Sequence, residues 1–425
     1  MMERKKAISA TPIQENHSTR KRPSLPHIIP AQAALSILVG AIICFDRYAS
    51  AMEDKYIHAL AAKELPQGLT GSVLQQAAFR QPDLLTIYGS SEMLSEPSAS
   101  QQPSNLFASF PTGFAIYNIS KTGENPLDIA QALAAIGPEL RNKKVVISFT
   151  PGLFDRLESV DNEYSGNFSR MHAYALVFSP NLSMTLKQRF ANRMLDYPGT
   201  FRHDMVLTLA VRNLANGGLA SRLKYALIYP LGQLEALTIR MQDHFSVWNY
   251  IQTHPGINPV TQYRFQSIDW AAQLAQADAE QQSASSNNPF GVENNIWIKE
   301  YHQKVESNAI GSIDQKYLTL IEESKEWGDL ELMLDVCREE GAKPLILGRP
   351  INGLLSKVAG ISPEAQQVYY TKLEEIASNY HYPLADFKDH TNDRFFSIDE
   401  ASHTSRKGWV LIDQVLDAFY HGILR

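Results

Sequence analysis

Five short apolar segments, residues 84–88, 114–119, 144–149, 344–347 and a weaker 382–387, are separated by stretches whose apolar residues recur at helical spacing. That alternation limits the fold most narrowly. Strands joined through intervening helices run parallel in one sheet, and the helices cover its faces. The first segment, "LLTIY", is apolar almost throughout, as a central strand buried on both sides must be. Helices are predicted over 126–140, which carries Leu127, Ile129, Ala130, Leu133 and Ala134, and over 317–340, ahead of the fourth strand. The Ser-, Pro- and Gln-rich run 95–104 reads as a surface loop.

Residues 155–310 break the alternation. They hold amphipathic helical stretches and no convincing strand, so they read as a helical insertion between strands three and four. Within it, Pro230-Leu231-Gly232 predicts a break in the most apolar stretch, and "QADAEQQSASSNNPFG" (276–291) predicts a loop.

Ahead of the first strand, residues 28–45 contain no charge. At about 1.5 Å per residue this run just crosses a bilayer core. Residues 1–26 carry six cations against Glu3 and Glu15, a net of +4 within an overall −6, so the remainder carries −10. Cations stay preferentially on the cytoplasmic side of a first span. The expected organisation is a basic cytoplasmic tail (1–26), a transmembrane anchor (27–45) and an extracytoplasmic domain (46–425). The rival is a cleaved signal at Ala49-Ser50-Ala51, but the run is long for a signal and Asp46 and Arg47 intervene. Cys44 and Cys337 are the only cysteines, which excludes a disulfide framework in the exported part and a thiolate zinc site. No metal, cofactor or nucleic-acid partner is expected.

Apart from its sheet, the chain offers one constellation with chemistry in it. The first strand ends in Gly89-Ser90-Ser91, and parallel sheets react at the carboxyl ends of their strands. A serine nucleophile needs a histidine base and a group that orients it. Of twelve histidines, His403 in "FFSIDEASHTSRKGWVLIDQ" is the best placed, with Asp399 and Glu400 just before it and a helix from about Lys407. Glu400 has the acid-x-x-His spacing, and Asp399 is the alternative orienter. The structural alternative is a Gly-Ser-Ser turn that caps the next helix, with His403 a surface or cap residue.

Gly-x-Ser after strand one, combined with a C-terminal acid-x-x-His, resembles the SGNH (GDSL-type) hydrolase superfamily. Within it, "GSSEM" (89–93), "NNPFG" (287–291), "EWGDLELMLDVCREEGAKPLIL" (326–347), "RPINGLL" (349–355), "YYTKLEEIASNYHYPLADF" (369–387) and "HTSRKGWV" (403–410) resemble the DltD family of D-alanyl-lipoteichoic acid biosynthesis. The resemblance covers nearly the whole chain. It implies an SGNH-hydrolase-like, flavodoxin-like α/β sheet with a helical insertion behind one N-terminal transmembrane helix.

It also implies transfer of D-alanyl groups to lipoteichoic acid hydroxyls through an acyl-Ser91. His403 would be the general acid and base, oriented by Glu400 or Asp399, and the partners would be the cytoplasmic membrane, the lipoteichoic acid acceptor and the membrane and carrier proteins of the pathway. Three departures from the family pattern stand out. Glu400 occupies the usual Asp position. The glycine-rich stretch after strand two reads "NISKTGENP", which leaves Gly123, with the Ser91 N–H, as the oxyanion donor. Thr150-Pro151-Gly152-Leu153-Phe154 replaces a Ser-Pro-Gln-Trp-Phe run and lacks its glutamine. The same residues would also serve an esterase or thioesterase, and a non-catalytic scaffold would need none of them.

Overall fold

Strands form where the sequence is most continuously apolar: β1 Leu84–Gly89, β2 Ala115–Ser120, β3 Lys144–Phe149, β4 Lys343–Gly348 and the short β5 Leu384–Ala385. They pair in parallel in the order β2-β1-β3-β4-β5. This is the flavodoxin-like order, in which the connections leave β1 in opposite directions and open a crevice at the carboxyl ends of β1 and β3. The computed structural model describes residues 28–61, 65, 69, 71–94, 100–157, 161–260, 263, 265–301, 308–399 and 403–424. The basic tail, residues 95–99 and Glu400 lie outside them.

Side chains alternate across the sheet into two apolar layers. Leu84 and Tyr88 of β1, with Val145, Ile147 and Phe149 of β3, face one layer, built from the helices Pro126–Ile136 and Glu326–Glu340 and from the insertion. Leu85, Ile87 and Val146 face the other, where Trp409, Ile412, Leu416 and Phe419 of the C-terminal helix Arg406–His421 pack. The two-residue period of a strand is what sorts them.

The chain divides into two compact units, 1–47 and 48–425. The helix Ile28–Ala61 begins in the first and ends in the second. Its apolar part is long enough to cross a membrane. The helix therefore extends well past residue 45. Within the second unit its last turns bury Ile57 and Leu60, and Glu53 pairs with His244 Nδ1 at 2.6 Å.

The insertion is helical among the described residues, as expected; two local differences from the sequence reading lie within it and a third between it and β4. Residues 276–284 continue the helix Trp270–Ala284, which Asp269 caps by accepting the Ala272 N–H; Ala, Gln and Glu are good helix formers once a cap starts them. Ahead of β4 there are two helices, Asp314–Glu323 and Glu326–Glu340, because the Trp327 indole N–H donates to the Ile321 carbonyl at 2.7 Å and satisfies the end of the first. Pro230 does not break its helix, which runs Leu219–Thr253. Pro230 lies on the exposed side, where water satisfies the carbonyl that has lost its donor.

Gly232 serves close packing rather than a turn. A Cβ there would stand 2.0 Å from Phe178 Cε1. Gly232→Ala should therefore lower stability by about 1–3 kcal/mol, despite alanine's better helix propensity. Urea unfolding of the two proteins checks this; an unchanged or raised midpoint contradicts the close approach.

Candidate active site

The turn after β1 is built by residues other than Ser91. Gly89 is required by crowding, since a Cβ would meet Met93 Cγ at 2.5 Å and Glu92 Oε1 at 2.7 Å. Ser90 N–H donates to both Glu92 carboxylate oxygens, at 3.0 and 3.1 Å, and Ser90 Oγ–H donates to the Lys121 carbonyl at 3.3 Å. Ser90, not Ser91, is thus the structural hydroxyl, and it makes no side-chain cap on the short 3-10 turn that follows. Ser91 opens that turn. Its backbone N–H has no acceptor among the described residues, the ordinary condition of a helical first residue.

The loop before the C-terminal helix brings the histidine to this point. Ser397 and Thr404 form an antiparallel bridge, and Ile398 N–H donates to the His403 carbonyl at 2.8 Å. Ser405 then caps the helix by accepting the Gly408 N–H at 3.0 Å. Within the loop Asp399 Oδ1 accepts the His403 backbone N–H at 3.0 Å, and Oδ2 lies 2.5 Å from His403 Nδ1. A carboxylate at that distance accepts from Nδ1–H, which leaves Nε2 as the acceptor. His403 Nε2 stands 3.3 Å from Ser91 Oγ. The hydrogen bond that Asp399 accepts holds the His403 pKa above its ordinary value of 6.5, against the opposing effect of burial.

Ser91, His403 and Asp399 are therefore brought together from positions more than 300 residues apart. Asp399 is the described carboxylate in contact with the ring; Glu400 lies outside the described residues. Gly123 sits in the turn after β2 with φ of +74°, and a Cβ on it would meet Asn167 and Glu163 of the insertion at 3.6 and 3.7 Å. That turn touches the Gly-Ser-Ser loop through the Lys121 carbonyl. Burial pushes Glu124, the next residue, up to about 8, so it is mostly protonated at pH 7. After β3, Phe154 stacks on Trp327 with ring centroids 3.9 Å apart, and the turn Pro151–Leu153 presents no side-chain donor. Among the described residues no group of three or more His, Cys, Asp or Glu is arranged to hold a metal.

Arg349 is the residue that sequence reasoning passed over. It directly follows β4 and is fully buried. Its guanidinium donates to Thr404 Oγ1, to Ser148 Oγ at 3.4 Å and to Met93 Sδ at 3.0 Å, and lies 4.5 Å over the Trp409 ring. It thus ties the ends of β3 and β4 to the loops of Ser91 and His403. Burial pulls its pKa down to about 10, with Glu92 and Asp413 opposing, so it stays cationic at neutral pH. The signal available was a charge set directly against an apolar strand.

Asn352, from the same segment, donates to the Asp399 carbonyl at 3.2 Å. The insertion's tail braces the other side: Arg394 donates to the Asn288 carbonyl, Glu293 pairs with Arg406 at 2.7 Å, and Lys407 bridges Asp393 and Asp278 at 2.9 and 3.3 Å. Gly291 has φ of +77°, and a Cβ on it would fall 1.5 Å from the Arg394 carbonyl oxygen. Close approach as well as φ requires glycine there.

The family model "DltD protein" matches residues 62–421. Over 395 residues the chain is 27% identical to "Protein DltD" of Bacillus subtilis (strain 168), covering 92% of this chain and 96% of that protein. It is 21% identical over 398 residues to "Protein DltD" of Staphylococcus aureus (strain NCTC 8325 / PS 47), covering 92% and 94%.

Proposed function

The chain belongs to the DltD family, and from that premise we propose that it serves the D-alanylation of teichoic acid as a membrane-anchored acyltransferase whose nucleophile is Ser91. The observation that carries this reading is the hydrogen-bonded line Ser91–His403–Asp399 at the carboxyl end of β1. A nucleophile, a base in the correct tautomer and an orienting acid are the minimum for acyl transfer, and the same set argues for kinship with the SGNH hydrolases. The anchor is the N-terminal helix, with the basic tail in the cytoplasm and the sheet domain outside. Its helix runs unbroken through Ala49–Ala51, which supports an uncleaved anchor.

In the first half-reaction Ser91 Oγ attacks the D-alanyl carbonyl while its proton passes to His403 Nε2. The oxyanion forms against the Ser91 N–H and the Gly123 turn. Collapse breaks the bond to the leaving group, which takes the proton from Nε2, and D-alanine remains as an ester on Ser91. In the second half-reaction His403 Nε2 removes the proton of a polyol-phosphate hydroxyl of teichoic acid, which attacks the ester; the Ser91 Oγ–acyl bond breaks, and Oγ takes that proton back from Nε2. One ester forms for each bond broken, so the exported step needs no nucleotide. Anchoring protein and acceptor to one membrane raises their effective concentration over that of dilute solutes.

The direct test is acid-quenched mass spectrometry of protein from cells fed isotopically labelled D-alanine. The expected result is labelled D-alanine on the peptide containing Ser91, discharged on addition of teichoic acid. Discharge at the same rate without acceptor overturns transfer in favour of hydrolysis, and absence of the adduct at every time point overturns the acyl-serine route.

The proposal also sets a pH dependence. His403 must be neutral to accept a proton, and its pKa lies above 6.5. The acid limb of kcat/KM should accordingly have its midpoint above 6.5, with the rate falling about tenfold per pH unit below it. Asp399→Asn removes the hydrogen bond that raises the pKa and moves the midpoint down, while lowering the plateau. A profile flat through this range contradicts His403 as base.

A further inference from the structure

The helix Leu219–Thr253 presents an apolar stripe that nothing in the domain covers. Leu219, Leu223, Leu227, Leu231 and Leu234 are 54–82% exposed. At about 100° per residue they span an arc of about 120°. Tyr225, Gly232, Ile239 and Val247, on the opposite side, are buried against the domain. Arg222 and Lys224, both exposed, fall on the two flanks of the stripe. Met205 and Leu209 of the preceding helix Met205–Asn216 are exposed as well.

The charge around this stripe runs against that of the rest of the domain. Between Asp196 and Glu235 the chain carries Arg202, Arg212, Arg222 and Lys224 but only one acid, Asp204, which pairs with Arg170. From residue 27 onward the chain as a whole is net acidic. An exposed row of leucines with cations on its edges and no free acid is the pattern of a helix lying in a bilayer interface, where the apolar side chains enter the acyl boundary and the cations reach phosphates. A contiguous exposed apolar patch on a soluble surface otherwise carries a solubility cost.

We propose that this face of the insertion docks onto the anionic lipid surface of the membrane in which the N-terminal helix is anchored. It acts as a second, reversible contact. A second contact restricts tilt and rotation about the anchor and holds one side of the domain toward the lipid. The proposal rests on the anchored reading of the N-terminal helix.

The test uses the full chain with Cys44→Ser, leaving Cys337 in place because it is buried. A single labelling cysteine is introduced as Leu227→Cys, as Leu231→Cys, as Leu38→Cys within the N-terminal helix, or as Glu364→Cys on the exposed first turn of the helix Pro363–Tyr380. Each protein carries an environment-sensitive fluorophore and is reconstituted into vesicles of phosphatidylcholine and phosphatidylglycerol, with or without lipid bearing a quencher either at the top of its acyl chain, to report on 227 and 231, or near the chain end, to report on 38.

The expected result is about a twofold or greater loss of fluorescence at residues 227 and 231, deepening with the phosphatidylglycerol fraction, and none at 364. If 38 is quenched while 227 and 231 are not, the docking is overturned and the anchor stands; a protein partner on this face gives that same outcome in pure lipid. If 38 is not quenched either, both fall.

Discussion

Teichoic acid from cells whose only copy carries Ser91→Ala holds no more D-alanine ester than teichoic acid from cells lacking the protein, at matched membrane levels. The expectation follows from geometry. Ser90 and Glu92 hold the turn together, and the Ser91 side chain makes its one described hydrogen bond to His403. Removing that hydroxyl should leave the fold intact and delete the proposed acyl acceptor. His403→Ala should be equally severe, and the double variant no worse than either single one, because a nucleophile and its base, as proposed here for Ser91 and His403, act as a unit. The loss in the chemical step is about 10³-fold or more. Ser91→Ala cells with wild-type ester content would show that the protein works by organising others.

Arg349→Leu is expected to cost about 3–5 kcal/mol of stability, which is much of what a domain has. The guanidinium lies among buried acids. Glu92 is fully buried, and burial holds the Asp413 pKa well above the carboxylate range, with neither Asp413 oxygen hydrogen-bonded among the described residues. Taking away the cation removes a positive charge from beside two buried acids and frees Thr404, Ser148 and Met93 from a common donor. Thr404 adjoins His403, so activity should fall even where the protein still folds. Arg349→Lys should rescue only in part: an ammonium keeps the charge but lacks the planar fork that reaches three partners and stacks on Trp409. Thermal unfolding of the full chain in detergent, with Arg349→Lys alongside, is the measurement; a midpoint indistinguishable from wild type for Arg349→Leu contradicts the role.

How much was legible beforehand differs by level. The five strands and their parallel sheet were readable because burial on both faces demands apolar runs, and short runs between helices have few other uses. The helix ends at 323–326, 276–284 and Pro230 were not, since each depends on a neighbouring side chain or on which side faces water: the Trp327 indole, the start set by Asp269, the exposed side of a long helix. Ser91 and His403 were readable as candidates at the ends of predicted elements, and the fold brings their side chains within 3.3 Å.

That Asp399 contacts the His403 ring was not readable. Asp399 and Glu400 are adjacent, and adjacent side chains point in different directions, so only the loop's course could place Asp399 Oδ2 against Nδ1. Arg349 is the same case in stronger form. Its residue type announces a surface charge, and only the convergence of β3, β4 and two loops makes a buried cation stable there. The sequence by itself determined the sheet, the apolar N-terminal helix and the types of the candidate site residues, because local burial pattern and chemical type are properties of short segments. Tertiary structure alone decided which acid meets the histidine, what braces their loop and which leucines remain uncovered, because each is a distance between segments the chain holds far apart.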